Sequence, residues 1–481
     1  MIWGLLMQSK TENRLPLEFF PSHLIIKSSK WYTLESLVPW QEIEELLSPL
    51  FSDRGRNAIP VRQIIGALII QTHKNLSDRE TLETIMETPM LQYFLGLDDY
   101  IMEELFDHTL LCKYRQKIGL DIAKDMIDIL LSKHKAGEPI VFDQSVTHAG
   151  SLSIDATVVP VNITYPTDLK LLNQVREKTE EIIDVCHKES GEQEKPRTYR
   201  KEARQSYLTY AKAKRLPNNK RRTALRQQLQ YVKRNINTIQ DRLENGIYTL
   251  SDAMEESFSV CKQIYLQQQT MWDEKTNRTN DRIVSLHQPH IRCVVRGKVG
   301  NPFEFGPKIA VGKVNGHIKI HEFSFDNFNE SATLKPIVMG YIKQYGVYPE
   351  VVRADRIYQT RENKLFCSSL GIRLSGKPLG RPKLEDKEIN QALMKEDFKK
   401  RLEIEGVFGV AKTRFGLAKL MTKLPESQKA SIGLVFFVIN LAQVLSFTPF
   451  FEAIEMLVIE VETNHEAFVY QDEKPILKSE V

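Results

Sequence analysis

Residues 151–162 read SLSIDATVVPVN, an apolar, β-branched run with a single carboxylate, Asp155, in its middle. Such a run forms a buried strand. A carboxylate buried there is costly unless a partner or a metal ion compensates its charge. A second apolar run, in YPEVVRADRIYQT (348–360), ends in another acid, Asp355. If the two strands are neighbours, both acids reach one ion. A third carboxylate comes from the segment KEDFKKRLEIEGVFGVAKTRFGL (395–417), whose pattern predicts a long helix. At 3.6 residues per turn, Arg401, Glu405, Phe408 and Lys412 share one face of it. A carboxylate flanked by two basic side chains suits metal binding beside a phosphate. Oxygen donors without sulfur suit Mg²⁺ or Mn²⁺. Two such ions can activate a water or a 3′-hydroxyl and stabilise the leaving oxygen in a phosphodiester displacement. Each acid has an ordinary alternative: a strand Asp is more often a cap or ion-pair partner, and Glu405 can pair with Arg401 four residues earlier. The expectation rests on their conjunction.

The rest of the chain bounds what this chemistry acts on. At 481 residues it is long enough for two or three domains, and 42% hydrophobic with 27% charged residues is the balance of a soluble globular protein. Net charge is only +4, so binding charge must be local. Cys112, Cys186, Cys261, Cys293 and Cys367 lie far apart with no CxxC pair, against a zinc ribbon or disulfide framework and in keeping with a reducing cytosol. The N-terminus has no basic region before its short apolar run, so it is a poor signal peptide. The apolar run 432–447 contains Asn440 and Gln443 and is shorter than a bilayer span, so a buried helix is expected and no membrane contact.

Residues 1–54 mix Pro and aromatics with short amphipathic pieces and read as an irregular arm. Helical signals fill 55–135: Pro60 opens a helix to about His73, Ser77 and Glu80 form a capping box, Thr88-Pro89 starts a third helix, and Asp107 caps a fourth. A helix-turn-helix DNA-binding module and a packing or dimerisation bundle fit this region equally. Residues 166–279 are helical and polar. Between Lys195 and Arg234, fourteen Lys and Arg face a single acid, Glu202, with Tyr199, Tyr207, Tyr210 and Tyr231 interleaved. Charge this one-sided points to a phosphate backbone, Lys220, Arg221 and Arg222 among the contacts, rather than to a solvated helix face. Strand patterns return over 282–325, with a hairpin at Asn315-Gly316. A helix, the strand ending in Asp355 and further helices follow. The order predicts an α/β fold: a mixed sheet flanked by helices, an all-helical N-terminal domain, and a basic helical insertion after the first acid-bearing strand. Asp168 can cap the following helix or support the acids of the site, and Asp326, Asn329 and Glu330 can do either; a helix cap for the first and a turn plus cap for the others are the favoured readings. His287 and His290 suit packing or DNA-backbone contact better than metal ligation. Gly380-Arg381-Pro382 resembles an AT-hook core, with Arg381 in a basic loop near DNA.

Three blocks, SIDATVVPVNITYPTDLKLLNQVREKTE (153–180), VRADRIYQTRENKLFCSSLGIRLSGKPLGRP (352–382) and RLEIEGVFGVAKTRFGL (401–417), resemble the DDE transposases of bacterial insertion sequences. Within them the chain is similar to the insertion-sequence-five superfamily and its 1182-type subgroup. The helical stretches from Pro60 to Leu97 and from Phe106 to Gly119 resemble the domain preceding the catalytic core in these enzymes. The resemblance implies an RNase H-like core over 145–165 and 280–450, followed by a tail at 451–481, with Asp155, Asp355 and Glu405 as the metal-binding triad. The family signature around the glutamate is Tyr, two residues, Arg, three residues, Glu, six residues, Lys. Arg401, Glu405 and Lys412 match it, with Phe398 at the tyrosine position, so stacking survives without a hydroxyl. Tyr358 and Arg361 are implied to face DNA. The implied activity is metal-dependent cleavage of terminal inverted repeats and joining of the freed 3′-hydroxyl to target DNA. A cytoplasmic homodimer in a synaptic complex would perform it. A nuclease that cuts without joining and a non-catalytic DNA-binding descendant are the alternatives.

Overall fold

The computed structural model describes residues 20–50, 59–139, 146–213, 215, 217–295, 303–376 and 387–446. Helices α1 (Lys30–Leu37) and α2 (Trp40–Leu47) come first, and α3 (Val61–Lys74), α4 (Asp78–Glu87), α5 (Pro89–Phe94), α6 (Thr109–Ile118) and α7 (Asp121–Lys133) continue an all-helical N-terminal region. The reading of an irregular arm is thus corrected for residues 30–47. Trp31 and Trp40 are buried, and each meets the Phe94 ring edge-on, at 5.1 and 5.2 Å. A buried Arg62–Glu35 ion pair at 2.8 Å joins α3 to α1. The local signals behave as their chemistry requires. Ser77 and Glu80 make both bonds of a capping box, and Pro89 opens α5; His108 rather than Asp107 holds the cap position of α6, although Asp107 accepts the Thr109 N–H at 2.8 Å. Pro60 sits just before α3, at its cap, rather than as its first residue.

Strand β1 (Ser151–Val158) leads into four helices, α8 (Asp168–Ser190), α9 (Arg200–Ala211), α10 (Asn218–Glu244) and α11 (Asp252–Asp273). These helices bury their own apolar cluster, including Leu172, Ile183, Val232, Ile239, Cys261 and Ile264. Within it, fully buried Arg176 donates to Glu180 at 2.5 Å and Asn173 at 2.8 Å, which compensates its charge. The insertion after the first acid-bearing strand is therefore helical, as expected.

The chain then forms β2 (Cys293–Val295), β3 (Phe303–Phe305), β4 (Lys308–Val314), β5 (His317–Ser324), α12 (Leu334–Tyr345), β6 (Val351–Ala354), α13 (Arg361–Ser369), β7 (Arg373–Leu374), α14 (Lys387–Arg414) and α15 (Pro425–Ser446). The five-stranded sheet runs β5-β4-β1-β6-β7, with β4 antiparallel to β1 and β5, and β6 parallel to β1 and β7. This mixed sheet with flanking helices is consistent with an RNase H-like core. Asn315 (φ 45°) and Gly316 (φ 88°) make the β4–β5 hairpin in the left-handed region. Strand pairing in 282–295 is confined to Cys293–Val295. Upstream, Pro289 lacks an N–H, and Gln288 and His290 bond the Gln428 side chain instead.

Leu152, Ile154 and Ala156 point to one face of the sheet and join Ile337 and Val338 of α12 and Cys367 of α13. The other face, with Val311, joins a continuous core with α14, α15 and the N-terminal helices. By length and apolarity α15 could cross a membrane, but Ile432, Phe436, Phe437 and Val438 are buried in this core. A Cβ on Gly433 would lie 2.4 Å from that of Ala123 on α7, so the two helices touch almost backbone to backbone. Asn440 donates to the Ile318 carbonyl at 2.8 Å and accepts its N–H at 2.9 Å, satisfying edge strand β5.

Gly306, between β3 and β4, has φ 155°, and a Cβ there would lie 2.0 Å from the Val159 carbonyl oxygen. Gly306→Ala is expected to destabilise the protein by about 3 kcal/mol, since backbone rather than a flexible side chain would have to move. Urea unfolding midpoints measure this, and an unchanged midpoint would show that the strand junction can give way.

Candidate active site

The β1–β6 pairing is parallel, with Ile154 opposite Ala354, so Asp155 and Asp355 each stand one residue beyond the last registered pair. Asp155 is half-buried within β1, and its Oδ1 accepts the Ala156 N–H at 2.8 Å. Asp355 is exposed, and its Oδ1 accepts the Arg356 N–H at 2.6 Å, capping the short turn that follows β6. Helix α14 crosses this face of the sheet. It buries Ile404, Phe408 and Ala411, brings Glu405 toward the two aspartates, and brings Lys412 to within 3.1 Å of the Thr157 hydroxyl on β1. Burial, joined by the negative charges of Glu330, Asp355 and Glu405, pushes the Asp155 carboxyl up from its ordinary 3.8 to about 6, against the Ala156 N–H.

Arg401 lies between two of the acids. Its Nη1 is 2.6 Å from Glu405 Oε1 and 3.9 Å from Asp355 Oδ1, and its guanidinium lies 5.5 Å from the ring of exposed Phe398. The i, i+4 pair weighed as the ordinary alternative for Glu405 is thus present. Among the described residues, no three acidic, histidine or cysteine side chains stand close enough together to hold one ion. The donor chemistry still fits a hard divalent cation: oxygen ligands, one of them half-buried and surrounded by like charge, with a guanidinium already drawn between the other two.

The remaining expected site residues are distributed unevenly. Lys220 and Arg221 are exposed at the start of α10. Arg222 instead stacks on Trp272, at 5.0 Å from its ring, and donates to the Trp272 carbonyl at 3.1 Å. Arg361 is exposed at the start of α13. Tyr358, expected to face DNA, is fully buried: the turn after Asp355 folds its ring into the core under the sheet, leaving no surface for a duplex. Arg381 lies outside the described residues.

Of two further side chains near the site, Glu330 was weighed from the sequence as a supporting acid or a turn residue, and Lys308 was not singled out. Glu330 joins the charges around Asp155, and buried Lys308 on β4 holds it at 2.9 Å while donating to Asn327 Oδ1 and the Phe328 carbonyl. Lys308, Glu330, Asp355 and Thr157 line one open cleft. Asn329 caps the following turn, as read from the sequence, and Asp326 pairs with Arg292 at 3.3 Å. Thr167, not Asp168, caps α8, while Asp168 binds Arg282 and accepts from Gln268 at 3.0 Å. His290 packs on Phe325 and bonds Gln428, in keeping with the packing role.

Comparison with known proteins agrees with this architecture. A family described as a transposase DDE domain matches residues 352–442, which include Asp355 and Glu405, and one described as a transposase domain matches residues 20–117 of the helical region. Together these matches support a DDE transposase of the insertion-sequence type, without distinguishing a subgroup. A curated relative, the uncharacterised protein ORF8 of the nfe locus in Rhizobium meliloti, is 26% identical over 141 residues, which is 29% of this chain. The chain spans only 65% of that relative's length. No solved structure matches the chain significantly. A DDE domain supports nuclease or transposase chemistry in general, and the family generally uses divalent metal ions.

Proposed function

We propose that this protein binds the terminal inverted repeats of its insertion sequence and catalyses metal-dependent DNA cleavage and strand transfer, with Asp155, Asp355 and Glu405 as the catalytic triad. The observation that supports this most is that β1, the end of β6 and α14 present Asp155, Asp355 and Glu405 to one face of a mixed sheet, with the charges of Asp355 and Glu405 acting on Asp155. When bound by these carboxylates, Mg²⁺ or Mn²⁺, as two ions, would supply the positive charge and activated oxygen for an in-line displacement at phosphorus. Thr157 holds the Lys412 ammonium beside β1, where it can neutralise a phosphate oxygen. Arg401, tied to Glu405, presents its guanidinium to the same region, with Phe398 beside it as an exposed stacking surface. Arg361 and Arg381 are assigned to flanking DNA.

The basic insertion is proposed to grip the duplex, the protein acting as a cytoplasmic homodimer that synapses two ends without membrane contact. Lys201, Arg204, Lys220, Arg221, Arg226 and Lys233 are exposed on α9 and α10. Lys220→Glu with Arg221→Glu is expected to weaken duplex binding and to reduce the slope of log affinity against log salt by about one for each phosphate no longer neutralised. Titrations at several salt concentrations measure this, and an unchanged slope would return these residues to an ordinary solvated face.

The function itself is tested with a labelled duplex carrying the element end, purified protein, and Mg²⁺ or Mn²⁺ against EDTA. Metal-dependent nicking at the end together with joined product supports a transposase. Nicking without joining reduces the reading to a nuclease, and binding alone to a DNA-binding remnant.

A further inference from the structure

The α14 helix carries a buried carboxylate that the proposed chemistry does not use. Asp397 lies eight residues before Glu405 and is only 5% exposed. Its Oδ1 accepts from Arg353 Nε at 3.0 Å and Arg373 Nη2 at 2.9 Å, and its Oδ2 accepts from Arg373 Nη1 at 2.6 Å. Arg353 is itself buried, on β6 two residues before Asp355, and pairs in register with Ser153, two residues before Asp155. One carboxylate therefore ties the helix bearing the third acid to the strand leading into the second. Farther along the helix, Glu403 bonds Lys313 of β4 at 2.8 Å and Lys412 bonds Thr157 of β1 at 3.1 Å, so Glu405 lies between fixed points on three adjacent strands.

We propose that Asp397 is the positioning residue that sets the axial register of α14 and so places Glu405 opposite Asp155 and Asp355. The apolar stripe of Ile404, Phe408 and Ala411 holds the helix against the sheet, but non-directional burial resists sliding along the axis poorly. A bidentate arginine–carboxylate pair has directions, and with a second buried guanidinium on the same carboxylate only one register satisfies all three bonds. Misplacing a reacting group by ~1 Å can cost roughly a hundredfold in rate, so such a clamp matters to chemistry it never touches. Burial alone would raise the Asp397 carboxyl, yet the bonds from Arg373 and Arg353 hold it below the ordinary range, so the clamp stays ionised at neutral pH.

The metal part of this inference rests on the proposed triad, so the test reads metal binding and helix register separately. Full-length Asp397→Asn is compared with the parent and with Asp155→Asn by Mn²⁺ titration followed by electron paramagnetic resonance, by duplex binding, and by hydrogen exchange of residues 401–412. Asp397→Asn is expected to bind Mn²⁺ about tenfold more weakly, keep duplex affinity within about twofold, and exchange faster over 401–412 while β1 stays protected. Asp397→Glu should recover part of the Mn²⁺ affinity, which a purely structural loss would not show. If Asp397→Asn does not fold, Arg373→Gln removes the more exposed arm and leaves the Arg353 bond, with a smaller change in the same direction. Unchanged exchange over 401–412, or parental Mn²⁺ affinity in a folded variant, overturns the inference. If Asp155→Asn and the parent bind Mn²⁺ equally, the triad reading fails instead, and the exchange data alone decide the role of Asp397.

Discussion

Asp355→Asn is expected to reduce metal-dependent strand cleavage by roughly a thousandfold or more while leaving duplex binding within about twofold. The substitution isolates chemistry from folding. The Asp355 carboxylate is exposed, and its one backbone bond, from the Arg356 N–H, can pass to the asparagine side-chain oxygen. What the amide removes is the negative charge. Arg401 would keep its bond to Glu405, so the guanidinium stays near the site. Gel assays of cleavage and equilibrium binding, with circular dichroism to confirm the fold, separate the outcomes. A folded variant that still cuts at the parental rate would remove Asp355 from the chemistry, and one that loses the duplex would assign it to the DNA surface.

Asp155→Asn is expected to make the same protein more stable when no divalent ion is present. The Asp155 carboxyl titrates at about 6 in the folded chain, against an ordinary 3.8. A group with a raised folded pKa stabilises the fold fully below its unfolded pKa, and that contribution is lost as pH rises through the folded value. Above about pH 6 the buried charge is therefore a liability relative to a neutral amide. Two pKa units correspond to about 3 kcal/mol, which solvent access to the half-buried side chain reduces to about 1–2 kcal/mol. Calorimetry in EDTA should show the variant melting above the parent near pH 8, the gap closing near pH 4. Adding Mn²⁺ should raise the parent and leave the variant unmoved. A variant that melts lower at every pH would mean that the carboxylate is a structural hydrogen-bond acceptor. Functional groups kept despite a loss of stability are common at active sites.

Much of this architecture was legible because it is local. An apolar run with one acid, a capping box and an Asn-Gly turn carry their meaning within a few residues, and helical spacing placed Glu405, Phe408 and Lys412 on one face without knowledge of what they pack against. The misreadings share a cause: the deciding partner is distant in sequence. Nothing beside Asp397 announces Arg353 or Arg373, and nothing beside Lys308 shows that Asn327, Phe328 and Glu330 will fold back to it. Helices α1 and α2, eight residues each and separated by Val38-Pro39, are too short for periodicity to speak clearly, and it is Phe94, far along the chain, that orders their tryptophans. Tyr358 was implied to face DNA only by the family resemblance, and the short turn at Arg356–Tyr358 leaves it fully buried in the core.

The placement of β1 also governs when the acids can meet. Its antiparallel neighbour β4 is made about 150 residues later and its parallel neighbour β6 about 200, with a self-contained helical unit between them. Contacts so far apart along the chain carry a large loop-closure cost and form slowly. The helical unit can collapse on its own cluster as it leaves the ribosome, whereas Asp155 must wait for both partner strands and then for Glu405. A nascent or truncated chain that stops short of α14 is thus able to fold in part while never bringing a third acid to Asp155 and Asp355.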